Sequence, residues 1–246
     1  KVIHLRNEIG IPYWKQKIIN HKSIALWSPL HRIGVTTLTV NFALFLSSFH
    51  ISLAVLEGVT TNPKLRGLLE DFDRIPENWT SYASFLINDI DASRVVWNYQ
   101  DIHWFPFEHD EAPDWDPLLL QTYLTGLKFH DLTLIDLPTG KMKAYTWDAL
   151  EYIDEIWIVV NDDVQTTQEW KDYIMKVKER THQCKLVFNQ YFSFSQANKL
   201  AKTLGIELIT KFPAVYEQAA LNQYQEYPII ANKKVKKEWM TAFINL

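Results

Sequence analysis

The chain has one cysteine, Cys184, in 246 residues. That excludes an internal disulfide framework and a cysteine-rich zinc site, and it makes a reducing cytoplasm the expected compartment. Glycine is scarce, with seven residues where average usage of about 7% would give roughly 17, so a glycine-rich phosphate loop is not expected to be intact. No excess of basic charge is present: 25 Lys and Arg stand against 29 Asp and Glu, a formal net charge of −4. This balance argues against non-specific nucleic-acid binding, which places Lys and Arg on phosphates. Long apolar runs are also missing. Lys1–Asn20 lacks the core of a signal peptide, and Leu38–Leu56 is broken by Asn41, Ser47, Ser48, His50 and Ser52. A bilayer span needs about 20 predominantly apolar residues, so this segment reads as a helix followed by a buried strand. The chain opens on Lys1 rather than Met, which reads as a processed or trimmed start.

What is present describes a folded chain with a sizeable core: 47% hydrophobic and 22% charged residues, with ten tryptophans. Short β-rich runs occur at Ser23–Trp27, Ile51–Leu56, Arg94–Trp97, Leu132–Ile135, Ile156–Val160, Lys185–Phe188 and Glu207–Ile209. Several are apolar on both side-chain parities, as in strands covered on both faces. Helix-like stretches lie between them at Thr36–Ser48, Asp116–Leu127, Tyr145–Tyr152, Thr166–Lys178, Ser195–Leu204 and Val215–Asn222. The alternation predicts an α/β fold with a mostly parallel wound sheet and helices on both faces. Residues 1–20 read as an N-terminal extension and 21–246 as one domain.

In such sheets ligands bind beyond the carboxyl ends of the strands. The first core strand leads through Pro29-Leu30-His31-Arg32-Ile33-Gly34-Val35-Thr36-Thr37 into an apolar helix. A phosphate loop needs inward N–H groups, a lysine for the β- and γ-phosphates and a hydroxyl for Mg²⁺. The order of strand, loop, Thr-Thr and helix is right, but the lysine is absent.

Segment IALWSPLHRIGVTTLTVNFALFLS resembles the start of the ParA/MinD family of P-loop ATPases, whose deviant Walker A motif reads KGGVGKTT. In that alignment Leu30 stands at the signature lysine, His31 and Arg32 at two glycines, and Val35 at the P-loop lysine. Gly34, Thr36 and Thr37 are kept. Asp136-Leu137-Pro138-Thr139-Gly140 resembles the family's Walker B segment, Tyr152–Asp162 the next strand, and Leu186–Tyr191 the strand whose Asn reads adenine. The resemblance runs from about Ser23 to the C-terminus. It departs again after the second strand: the family's Asp-x-Asp switch is here Glu57-Gly58-Val59.

The resemblance implies a three-layer P-loop NTPase fold and a nucleotide site. Arg32, Gly34, Thr36, Thr37 and Asn189 would meet the nucleotide, and Thr36 and Asp136 the metal. Asp136 reads otherwise as a sheet-end carboxylate, and Asn189 as an ordinary turn residue. Phosphoryl transfer depends on positive charge at the phosphates and a positioned water. Loss of one electrostatic donor costs about 10²–10³ in rate, so loss of both lysines and a switch acid predicts a pseudo-ATPase with no assigned catalytic residue. Two outcomes remain for ATP, ADP and Mg²⁺: retained binding through Thr36, Thr37, Asp136 and the helix N-terminus, or a loop closed by His31 and Arg32.

The implied function is a positioning or partition-type protein, a scaffold or nucleotide-responsive dimer with little or no hydrolysis. TadZ/CpaE relatives with degraded Walker A motifs are one such case. An active ATPase using Arg32 or a lysine elsewhere as substitute cation is the alternative. By family analogy the chain forms a homodimer and has a protein partner, while a DNA-binding partition role is disfavoured by the acidic balance. Asp101–Pro117, rich in acids with His103 and His109, resembles a family strand followed by a loop into the next helix; it reads as a solvated loop, then as a partner surface, and last as a metal site. Trp27, Trp97 and Trp157 read as core, and Trp79, Trp104 and Trp115 as interface candidates. The tail Lys233–Leu246 places Val235, Trp239, Phe243 and Leu246 on one helical face. That face either packs on the sheet or binds a membrane as in MinD relatives, and packing is favoured.

Overall fold

The computed structural model describes residues 21–244 except 89, 112 and 226; the side chains of 222–225 are also outside the description. The expected N-terminal extension, 1–20, and the tail residue Leu246 lie outside the described residues. Eight strands, β1 (Lys22–Trp27), β2 (Leu53–Glu57), β3 (Trp97–Tyr99), β4 (Ile102–Phe105), β5 (Leu132–Asp136), β6 (Glu155–Val160), β7 (Gln183–Tyr191) and β8 (Glu207–Pro213), form one sheet in the order β3-β4-β2-β5-β1-β6-β7-β8. All neighbours are parallel except the β3–β4 pair. The helices are α1 (Val35–Leu46), α2 (Leu65–Glu70), α3 (Tyr82–Ile87), α4 (Pro117–Thr125), α5 (Ala144–Ala149), α6 (Val164–Glu169), α7 (Lys171–Arg180), α8 (Ala197–Leu204), α9 (Tyr216–Gln225) and α10 (Lys233–Ile244).

The two-parity apolar runs form the two-sided core expected of a covered parallel sheet. Ala25 and Trp27 of β1, with Ile156, Ile158 and Val160 of β6, face one layer that includes α3, α4, α7 and α8. Ile24, Leu26, Trp157 and Val159 face the other, under α1, α2 and α10. The result is three layers.

Helix α1 is buried almost all round because it lies between the sheet and α10. Phe243 stacks on Phe42 and Phe45 with ring centroids 5.4 and 4.8 Å apart. Trp239 meets Phe212 at 5.1 Å and donates its indole N–H to the Pro213 carbonyl. Val235, Trp239 and Phe243 are thereby buried in the core. Within the described residues no helix is long and apolar enough to cross a membrane.

Several boundaries differ from the sequence expectation. Arg94 ends a short 3₁₀ turn (Ala92–Arg94), and β3 starts at Trp97. The stretch read as a solvated loop contributes β4, whose Trp104 is fully buried, and the chain turns to loop only after Phe105. Trp79 is also buried, its indole N–H donating to the Val95 carbonyl at 3.1 Å, so neither Trp79 nor Trp104 offers an interface. Trp115 packs half-buried on the core. The short helices α2 and α3 went unread because six residues give too little periodicity to register.

Candidate functional site

The carboxyl ends of β1, β2 and β5 meet in a cleft of about 220 Å³. Its walls come from three loops: 28–34 after β1, 58–64 after β2, and 137–143 after β5. It is lined by Thr36, Glu57, Thr60, Lys64, Asp136, Thr139, Lys141 and Lys143 among others.

The first loop leads from the end of β1 to the N-terminus of α1. Gly34 is the N-cap of α1 with φ 82°, a left-handed conformation that L side chains rarely adopt. Upstream, Leu30 is 6% exposed, and Val35 at the start of α1 is 3% exposed; both belong to the apolar layer under α1. The two positions aligned with lysines are therefore core positions. His31 lies against the loop after β5. Its ring Nδ1 is 2.9 Å from the Thr139 hydroxyl, and a Cβ on Gly140 would sit 2.6 Å from the imidazole. Gly140, at φ 84°, also donates its N–H to the Ser28 carbonyl and accepts from the Trp27 indole. Loops 28–34 and 137–143 are thus stitched together. Arg32, at φ 59°, is exposed and is not among the residues lining the cleft.

Asp136 ends β5 beside Glu57 at the end of β2, in register. Burial pushes the Asp136 carboxyl up to about 7, and the neighbouring Glu57 adds to the effect. Hydrogen bonds from the Thr36 and Thr39 hydroxyls and the charge of Lys64 oppose it. The structure therefore brings together Thr36 and Asp136, the two residues expected at a metal. They fit Mg²⁺, which takes one or two carboxylates and completes its octahedron with water and phosphate oxygens. Binding there would displace a proton.

Glu57 has a different job from a switch acid. Its Oε1 accepts from the Lys64 and Leu65 backbone N–H groups, at 2.5 and 2.9 Å, and Oε2 accepts from Phe107 N–H at 2.9 Å. The Tyr123 hydroxyl donates to its main-chain carbonyl at 2.8 Å. Burial raises the Glu57 carboxyl above the ordinary range, against these donors. The side chain ties the start of α2 and the loop after β4 to the sheet, leaving neither oxygen free of a backbone donor.

Asn189, at 6% exposure, donates its amide to the Ile33 carbonyl at 2.7 Å, and its oxygen accepts from Gln190 N–H at 3.0 Å. The amide nitrogen holds loop 28–34 against β7, and the oxygen is engaged within β7 itself. Asn41 acts likewise inside α1. Its amide donates to the Thr37 carbonyl, and its oxygen accepts from Ile230 N–H. Thr37 itself is half-buried in the first turn of α1 and is not among the residues lining the cleft.

The sequence reading did not single out Lys64, Lys141 and Lys143, which line the cleft. The available signal was their position: Lys141 and Lys143 directly follow Asp136–Gly140, and Lys64 follows Asn62-Pro63. Lys143 Nζ reaches the Thr61 hydroxyl at 2.8 Å, spanning the mouth between two loops. His103 lies on β4, away from this end, and among the described residues no group of three or more His, Cys, Asp or Glu is placed to hold a metal ion.

No protein-family model matches the sequence, and no curated protein matches it either. Solved structures do match in fold. The MinC:MinD cell division complex of Aquifex aeolicus gives a TM-score of 0.74 at 18% identity, covering 91% of this chain and 93% of that one. The septum site-determining protein MinD of Pyrococcus horikoshii OT3, complexed with Mg-ADP, gives 0.72 at 19%, covering 92% and 93%. A ParA family ATPase of Chlorobium tepidum TLS gives 0.72 at 14%, covering 91% and 98%. The α/β fold with its eight-stranded, mostly parallel sheet is that of MinD and ParA P-loop NTPases.

Proposed function

We propose that this chain is a positioning or partition-type protein of the ParA/MinD kind that works as a scaffold or nucleotide-responsive dimer with little or no ATP hydrolysis. The observation that carries this reading is the placement of Leu30 and Val35. Both positions aligned with the family's lysines are apolar and buried in the layer beneath α1, so neither of them brings a cation to the phosphates. Glu57, the acid nearest the switch position, is bonded to three backbone N–H groups, which removes the candidate for positioning a water.

Thr36 and Asp136 would hold Mg²⁺, which would supply charge neutralisation at bound phosphate oxygens. Gly34 and the α1 N-terminus would meet the phosphates. Asn189 would have to release Ile33 before reading a base. A TadZ/CpaE-like role, a homodimer and a protein partner belong to this reading. The Aquifex MinD was solved with MinC, which supports the expectation of a protein partner.

The test is phosphate release from Mg-ATP, run beside sedimentation of the same sample. The expected result is background release and a dimer. Turnover that vanishes in Asp136→Asn would overturn it in favour of an active ATPase with a substitute cation.

A further inference from the structure

Three ammonium groups ring the cleft without a carboxylate partner. Lys141 makes no hydrogen bond or ion pair among the described residues. Lys143 Nζ has only neutral neighbours, the Thr61 hydroxyl at 2.8 Å and the Tyr145 ring at 5.8 Å. Lys64 forms no salt bridge there, although its charge is felt by Asp136. The only carboxyls lining the cleft are engaged: Glu57 with three backbone N–H groups, Asp136 with the Thr36 and Thr39 hydroxyls.

Uncompensated cations gathered in a concave site attract anions, because a cleft with low-dielectric walls focuses their field. The lining adds hydroxyls suited to oxyanion oxygens, from Thr36, Thr60, Thr61 and Thr139. Size narrows the choice. At about 220 Å³ the cleft is below the roughly 300–1,000 Å³ of sites for drug-sized ligands. It suits a phosphoryl group rather than a whole nucleotide.

We infer that this cleft is a phosphoryl-anion site in which Lys141 and Lys143, on the loop after β5, with Lys64 across the mouth, supply the positive charge that loop 28–34 has lost. The assignment rests on the scaffold reading above and gives that site its ligand class. Lys143 is also a clasp: exchanging Thr61 for an anion oxygen would couple loops 58–64 and 137–143 to occupancy. Either a free phosphate or the terminal phosphates of a nucleotide supply this chemistry.

The test is calorimetric titration of the full chain with inorganic phosphate, pyrophosphate and Mg-ATP, repeated for Lys141→Ala/Lys143→Ala and for Arg32→Ala. The two lysines are exposed, so the double variant should keep its melting temperature, which circular dichroism checks. Saturable binding is expected for at least one probe, weakened at least about tenfold in the lysine variant, the scale of one lost charge-assisted contact. Similar affinities for pyrophosphate and Mg-ATP would identify the anion alone as ligand, and much tighter Mg-ATP binding a nucleotide; both support the lysine site. No binding of any probe would overturn it, as would binding that survives the double variant or is lost only in Arg32→Ala. Hydrolysis is read separately: lysine-dependent binding with ATP turnover would sink the pseudo-ATPase reading and leave the anion site standing.

Discussion

The Asn189 amide donates to the carbonyl of Ile33 across 2.7 Å, joining residues 156 positions apart and fixing the loop after β1 to the end of β7. A Cβ on Gly34 would stand 3.4 Å from the same nitrogen. Asn189, which the resemblance aligns with an adenine reader, is here a clip that holds loop 28–34 in place. The bond lies at a buried site, so its loss leaves the Ile33 carbonyl without a partner.

Asn189→Ala should therefore lower stability by about 1–3 kcal/mol, the cost of an unsatisfied buried group. Denaturant unfolding measures this directly. A variant with unchanged stability but weakened nucleotide binding would show that Asn189 serves the base instead.

Placing lysine at the two positions that the resemblance aligns with the P-loop lysines should damage the protein. Val35→Lys and Leu30→Lys each place an ammonium among apolar side chains of the α1 layer. Each should destabilise by on the order of 3 kcal/mol, because an unpaired charge is brought toward the core. ATP turnover should not appear. Melting curves with a parallel phosphate-release assay check both halves, and a stable, hydrolysing Val35→Lys would show that position 35 can serve as a phosphate-loop lysine.

Asp136 makes the apo fold pH-dependent in a defined direction. Its carboxyl is raised from 3.8 to about 7, so the folded state retains a proton that the unfolded chain has lost. Stability is fully present below about pH 4 for this group and falls as pH rises toward 7 and just beyond. Asp136→Asn, which cannot ionise, should be more stable than the parent at pH 8, by up to about 4 kcal/mol. Urea midpoints at pH 5 and pH 8 give the answer, and a variant less stable at pH 8 would contradict the assigned burial. Mg²⁺ should act in the opposite sense, stabilising the parent but not the variant.

At the amino ends of the strands, histidines give the opposite pH slope. His130 is fully buried, its Nδ1 2.9 Å from the Ser52 hydroxyl and its ring 5.1 Å from that of His103. His130 Nε2 and His103 Nδ1 have no hydrogen-bond partner among the described residues. Burial holds His130 well below its usual value, with the charges of His103 and His21 adding to the effect, and burial also lowers His103 and His21. The unfolded chain takes up protons near pH 6.5 that the fold refuses, so stability is lost as pH drops below that value, by about 1.4 kcal/mol per unit of depression. His130→Phe should flatten this acid limb of the stability profile. A profile unchanged by the substitution would assign the acid loss to other groups.

The tail should behave as core. Val235, Trp239 and Phe243 are buried against α1 and β8, and the Thr210 hydroxyl donates to the Ala242 carbonyl at 2.8 Å. Trp239→Ala should cost about 3–5 kcal/mol, and the intact chain should not float with liposomes. Flotation lost on removal of Lys233–Leu246 would show that this helix leaves the sheet for the membrane.

Much of the architecture was legible in the sequence because strands covered on both faces must be apolar on both parities. SIALW, LTLI and IWIVV declare themselves that way, and the Asp136–Gly140 segment follows one of them at the strand's carboxyl end. The same logic placed Trp27, Trp97 and Trp157 in the core. Trp79 and Trp104 escaped it, since their neighbours carry acids and prolines that read as loop, and strand pairing places β4 in the sheet. Sequence alone also determined that the loop after SIALW carries Leu30 and Val35 rather than lysines, because identity at a position needs no coordinates. What tertiary structure decided is where each remaining polar group points. Glu57 faces three backbone N–H groups, Asn189 faces Ile33, His31 rests on Gly140, and Lys141 and Lys143 face the cleft from a loop far downstream of the first. Such pairings join segments far apart in the chain, and a one-dimensional pattern reports periodicity and identity but carries no direction.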